Sequence, residues 1–176
     1  MKTYAVLLLV IAFSLGESLA VNFPDLDKSP LDIALFKKGG DAKIKVLYSR
    51  PAKNGRVVFG KLVKYGKVWR TGANECTEIR FYQDVKIAGQ EVKAGVYSIF
   101  TIPNENEWTF ILNSDTDKWG AFFYKEENDI LRTNMTVESP KKPIESFSMT
   151  FDKTKSGVDL YMAWDNVQVH VPIEII

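Results

Sequence analysis

The sequence predicts an all-β fold, a jelly-roll-like antiparallel β-sandwich of about ten strands with one short N-terminal helix. Three observations predict it. From Asp41 onward apolar residues recur with a period of two, as in Val158, Leu160, Met162 and Trp164 alternating with Asp159, Tyr161 and Ala163. Such alternation puts one face of a strand in a core and the other toward water. Turn-forming residues separate these runs, as at Ala88 to Gln90, Lys93 to Gly95, Pro103 to Asn106 and Lys155 to Gly157. Helix start and stop signals cluster in one place only, before Asp41.

Taken in order, the chain opens with Lys2 and an apolar run from Ala5 to Phe13 that is too short to span a bilayer. Ser18, Leu19 and Ala20 then supply the small residues a signal peptidase needs. Residues 1–20 read as a signal peptide, and the remainder as a soluble exported protein, periplasmic or extracellular. No later segment is long and apolar enough for a membrane span. Residues 21–40 form an N-terminal segment with the short helix. Ser29 caps it, Pro30 fits its first position, and Asp32 returns a capping bond. Lys37 and Lys38 suit its C-terminus, and Gly39 and Gly40 close it.

Residues 41–176 form the sandwich domain. Phe147, Met149 and Phe151 alternate with polar neighbours, and Val167, Val169, Val171 and Ile173 do so toward the C-terminus. Ile99–Ile102, Trp108–Leu112 and Ala121–Tyr124 are more uniformly apolar and read as central strands. Pro140 and Pro143 bracket a connection that cannot continue a ladder.

Composition narrows the function. Lys and Arg number 23 against 22 Asp and Glu, a net charge of +1, and the basic residues are scattered. A nucleic-acid surface needs a basic stripe, so that partner class is excluded. Cys76 is the only cysteine, so no disulfide forms within the chain and packing alone must hold the fold. His170 is the only histidine, which excludes multi-histidine zinc sites. Asn113, Asp115 and Asp117 have the alternate spacing of a calcium loop, but Lys118 stands where the loop needs glycine. Ordinary turn chemistry fits them better, and the sequence calls for no cofactor or metal.

The stretch from Trp69 to Thr77 concentrates a cation, an amide, an anion, two hydroxyls and an indole between strand-like runs. A charged group held near a sheet must be paired or must serve a ligand. Arg50, Arg56 and Arg70 all fall at strand ends or turns, and arginine's planar fork suits carboxylates, phosphates and carbonyls. Glu75 is the obvious internal partner for Arg70 or Arg56. Trp108 and Trp164 fall on core positions, whereas Trp69 and Trp119 lie near turns and can wall a site. Two readings compete: a polar network knitting loops at one end of the sandwich, or a site for a small polar ligand or glycan. The site would comprise Arg50, Arg56, Trp69, Arg70, Asn74 and Glu75. A hydrolase using Glu75 with Arg70 or Arg56, and an envelope scaffold or partner-binding module, are the alternatives.

Several segments together carry a family resemblance. They are Leu26–Asp32, Tyr48–Pro51, Gly55–Arg56 with Phe59–Gly60, and Tyr65–Gly66 leading to Trp69–Glu75 and Thr77. Ala94–Ser98, Ile102–Pro103, Trp108 with Asn113, Trp119–Gly120, and Asp129 with Leu131–Arg132 continue the pattern. In these the chain resembles the domain of unknown function 2911 (DUF2911) family, exported bacterial proteins common in the Bacteroidetes and their relatives. The resemblance implies export, a single domain and a bacterial envelope setting, and draws attention to Arg50, Arg56, Arg70, Asn74 and Glu75. It carries no established activity.

Overall fold

The computed structural model describes residues 21–176. The signal-peptide reading concerns residues 1–20 and lies outside them. No helix among the described residues is long and apolar enough to cross a membrane.

Eleven strands make two antiparallel sheets. In chain order they are β1 (Leu31–Lys38), β2 (Asp41–Ser49), β3 (Thr77–Phe81), β4 (Val85–Ile87), β5 (Gln90–Val92) and β6 (Gly95–Ile102). There follow β7 (Glu107–Asn113), β8 (Asp129–Thr136), β9 (Ile144–Lys153), β10 (Gly157–Asp165) and β11 (Val167–Ile175). One sheet runs β1-β2-β3-β6-β7-β8 and the other β5-β4-β11-β10-β9. Their inward residues share one core, to which Ile44, Val46, Ile79, Ile99, Trp108 and Phe110 contribute from the first sheet. Phe147, Leu160, Met162, Trp164, Val169 and Val171 contribute from the second. The alternation read in β9, β10 and β11 is the alternation observed.

Two elements differ from expectation. The predicted helix is strand β1. Ala34 and Phe36 point into the core while Leu31, Ile33 and Leu35 point out, a period of two within the same residues. Gly39 and Gly40, at φ +66° and +91°, form a two-residue hairpin turn that joins Lys38 to its partner Asp41. Adjacent positive φ angles match the twist of an antiparallel pair, so the glycines end a strand and not a helix. Pro30 sits just before the strand, and its carbonyl accepts the Arg50 N–H at 3.0 Å.

The predicted strand Ala121–Tyr124 is a turn, closed by the Tyr124 N–H donating to the Ala121 carbonyl at 3.3 Å. Its apolar content has another cause. Phe100 and Ile111 lie on the outward face of β6 and β7, where they pack with Cys76 in a small second cluster. Ala121 and Tyr124 cover that cluster, which leaves Phe122 and Phe123 pointing into solvent. This outer cover also explains why β6 and β7, central in their sheet, are apolar on both faces.

Candidate functional site

All six candidate residues lie in residues 50–76, where the chain leaves β2 and returns as its neighbour β3 in the same sheet. The path is irregular but closely tied. Just after β2 it crosses to the second sheet, where the Phe147 N–H donates to the Pro51 carbonyl at 3.0 Å and the Lys53 N–H to the Glu145 carbonyl at 2.8 Å. This crossing fixes Arg50. Its Nη1 meets Asp32 Oδ2 at 2.8 Å, its Nε donates to the Phe147 carbonyl at 3.1 Å, and its Nη2 to Ser148 Oγ at 2.7 Å. Arg50 therefore joins β1 to β9 across the two sheets, beside Tyr48, whose hydroxyl accepts the Met149 N–H at 3.0 Å. Burial pushes the Tyr48 phenol pKa up, which keeps it a neutral group.

Trp69 is buried, and it still contributes to the lining of the cavity described below. Its ring stacks near Trp164 at 6.0 Å between centroids and meets Phe147, Phe59 and Trp108 edge-on. Its backbone exchanges both hydrogen bonds with Thr101 of β6. The indole N–H donates to the Gly72 carbonyl at 3.1 Å and thereby folds the next turn back over the ring. That turn is strained at a buried β-branched residue: Thr71 has φ +56°. Hydrogen bonds offset the strain, with Thr71 Oγ1 reaching the Trp69 carbonyl at 3.2 Å and Thr101 Oγ1 at 3.1 Å. Glycine suits position 72, because a Cβ there would lie 3.0 Å from the Ser49 carbonyl oxygen, a tight contact that the backbone would have to relax to admit.

This scaffold carries Arg70 toward the Trp119–Gly120 turn, its Nη1 lying 3.9 Å from where a Cβ on Gly120 would stand. Arg70 has no ion pair among the described residues, and its buried Nε has no hydrogen-bond partner. Burial pushes its guanidinium pKa down, the direction expected of a cation taken partly out of water without a counter-charge. It lines an open cavity of about 310 Å³ with Arg56, Asn74, Trp69, Trp164, Leu62 and Val63. Arg56 is held there by its own turn, Nε donating to the Lys53 carbonyl at 2.9 Å and Nη2 to the Ala52 carbonyl at 2.6 Å. Its Nη1 makes no bond among the described residues.

Asn74 forms the edge of the cavity. At φ +55°, its side-chain amide donates to Asp27 at 3.0 Å, and its carbonyl accepts the Gly120 N–H at 3.0 Å. The N-terminal strap at Asp27 and the Trp119 turn are thus both tied to this one residue. The Ser29 backbone N–H, and next the Asn74 amide, lower the Asp27 carboxyl pKa.

Four of the six candidates therefore converge: Arg56, Trp69, Arg70 and Asn74 line one cavity. Arg50 does not join them, and its bonds are all structural. Glu75 does not pair with Arg70 or Arg56 either. It is exposed, held by a backbone bridge to Trp119, and it lines a different groove on the far side of Asn74. Cavity residues that the sequence did not suggest include Ser29, Leu62 and Val63. Of these, Ser29 falls in a segment shared with the family pattern. Asn113, Asp115 and Asp117 form a turn, with Asn113 Oδ1 accepting the Asp115 N–H at 2.9 Å.

The family model described as protein of unknown function (DUF2911) matches residues 29–173. The chain belongs to the DUF2911 family. The matched range runs from the strap at Ser29 to Ile173 in β11, so it takes in both sheets and every residue lining the arginine cavity. No curated protein and no solved structure matched the chain. The DUF2911 description names no ligand or reaction.

Proposed function

We propose that this DUF2911 protein is an exported binding protein for a small anionic ligand, a carboxylate-, sulfate- or phosphate-bearing molecule such as an acidic sugar. The observation that carries this reading is Arg70, a half-buried cation with no ion pair among the described residues, opening onto a cavity it shares with Arg56. An uncompensated charge is costly to hold out of water, and an arriving anion offsets that cost. Arginine's fork would take such a group in two-point fashion, and Leu62, Val63 and Trp164 would shield its apolar side.

A hydrolase built on Glu75 with Arg70 or Arg56 has less support, because the acid and the two arginines line different depressions. Thermal unfolding with sulfate, phosphate and glucuronate, at ionic strength matched with sodium chloride, tests the binding reading. A ligand at a hundred times its Kd stabilises by about 2.7 kcal/mol, a shift of several degrees. The expected result is such a shift for at least one anion, absent from Arg70→Met. Identical melting in all four salts would remove the reading.

A further inference from the structure

Across the ridge formed by Ser29 and Asn74 lies a second groove, of about 490 Å³, whose chemistry is the reverse of the arginine cavity. Its floor is the outward face of β1 and β2, where Leu31 and Leu47 stand with Cys76 behind them. One wall is Trp119, which is 56% exposed, and Leu31 is 65% exposed. Exposed leucine and tryptophan lining one groove form an apolar surface that gains from being covered. The rim carries Asp27, Glu75, Glu78 and Asp117 against Lys118 alone.

These carboxylates are not equivalent. Asp27 is engaged by the Ser29 N–H at 2.6 Å and by Asn74. Glu78 accepts the Asp117 N–H at 2.7 Å, which holds the far wall in place. Glu75 makes no side-chain hydrogen bond and no ion pair among the described residues, and it is placed directly by its backbone bridge beside Trp119. The groove thus offers an apolar floor, an aromatic face and a free carboxylate next to that face.

We infer that this groove binds a protonated amine carried on a ring or alkyl body, the ammonium at Glu75 and the body over Trp119 and Leu47. An indole face attracts a cation through its quadrupole, and a neighbouring carboxylate adds direct pairing. A neutral sugar would use the same tryptophan but would leave the excess negative charge unanswered. A bare metal ion would leave the leucines uncovered, and no set of three acidic, histidine or cysteine ligands gathers among the described residues. The inference does not depend on the arginine cavity, whose ligand has the opposite sign.

The test titrates the full mature chain with 2-phenylethylamine, and separately with 2-phenylethanol as its uncharged counterpart. The readout is the Trp119 indole N–H signal in nitrogen-labelled protein, assigned through its loss in Trp119→Ala. Trp119 is a surface side chain, so both that variant and Glu75→Gln should keep the wild-type melting temperature. The amine should move the Trp119 signal and bind roughly tenfold more tightly than the alcohol, with Glu75→Gln erasing most of that difference. Equal affinity for amine and alcohol, an unmoved Trp119 signal, or undiminished amine binding in Glu75→Gln would each overturn the inference. The anion response carried through Arg70 is measured in the same samples with sulfate. It should survive in Glu75→Gln, so failure of one groove is distinguishable from failure of the other.

Discussion

Arg50 and Arg70 stand toward the two ends of one irregular segment, and their surroundings are opposite. Arg50 is satisfied by a carboxylate, a carbonyl and a hydroxyl, and it joins one sheet to the other. Arg70 has neither an ion pair among the described residues nor a partner for its Nε, although it is less than fully hydrated. Residue type is identical, so the difference comes from which strands each arginine is carried past. Arg50 follows β2 directly onto β9, where the Phe147 carbonyl and the Ser148 hydroxyl accept its hydrogen bonds. Arg70 follows a buried tryptophan out of the core and meets a cavity. A cation with a full set of partners is part of the architecture, and one without is available to a ligand. Three substitutions break or sharpen that contrast.

The largest effect belongs to the base on which the open end rests. Trp69→Ala removes a buried ring packed among Phe59, Trp108, Phe147 and Trp164, together with the indole bond that folds the Gly72 turn. Truncating a buried aromatic costs about 3–5 kcal/mol. Urea unfolding should show a loss in that range with the slope of the transition unchanged, and the anion response should vanish with it. A loss under about 1 kcal/mol would mean that Trp69 does not support the cavity and that the contrast has another origin.

How much of this could be read from residues alone follows the same division. Strands β9 to β11 were legible because each has one wet face, so polarity records orientation. The Ala121–Tyr124 turn was not, because its apolar residues cover the outside of a sheet and mimic a buried strand. In β1 the capping pattern of Ser29, Pro30 and Asp32 outweighed the stronger signal of Gly39 and Gly40, a pair suited to a hairpin. The convergence of Arg56, Arg70 and Asn74 was legible as chemistry. The separation of Glu75 from them was not, since Asn74 takes a left-handed backbone angle and the chain changes direction there. Neighbours in sequence then serve different depressions.

Arg50→Met gives the intermediate effect. The Arg50 and Asp32 side chains are 36% and 40% exposed, so their ion pair alone contributes little. The bonds to Phe147 and Ser148 add more, because they staple two sheets, and the total loss should be about 1–2 kcal/mol. Chemical denaturation measures it. Sulfate or phosphate should still stabilise this variant as much as the wild type. If that response were lost while the fold kept its stability, Arg50 would be the ligand-binding arginine and the contrast would be inverted.

The smallest effect on stability is expected where the effect on ligand response is greatest. In Arg70→Met most of the aliphatic stem is retained, and what disappears is a guanidinium with no ion pair among the described residues. Removing a paired half-buried cation would destabilise the fold, but removing one without a partner spares its desolvation cost. Unliganded stability in dilute buffer should therefore change by no more than about 0.5 kcal/mol, or rise slightly. Calorimetry across sodium chloride and sodium sulfate at equal ionic strength separates the two roles. The wild type should melt higher in sulfate than in chloride, and the variant should melt at the same temperature in both. A loss comparable to that of Arg50→Met would show that Arg70 is already satisfied in the folded protein, and the cavity would then be one more piece of architecture.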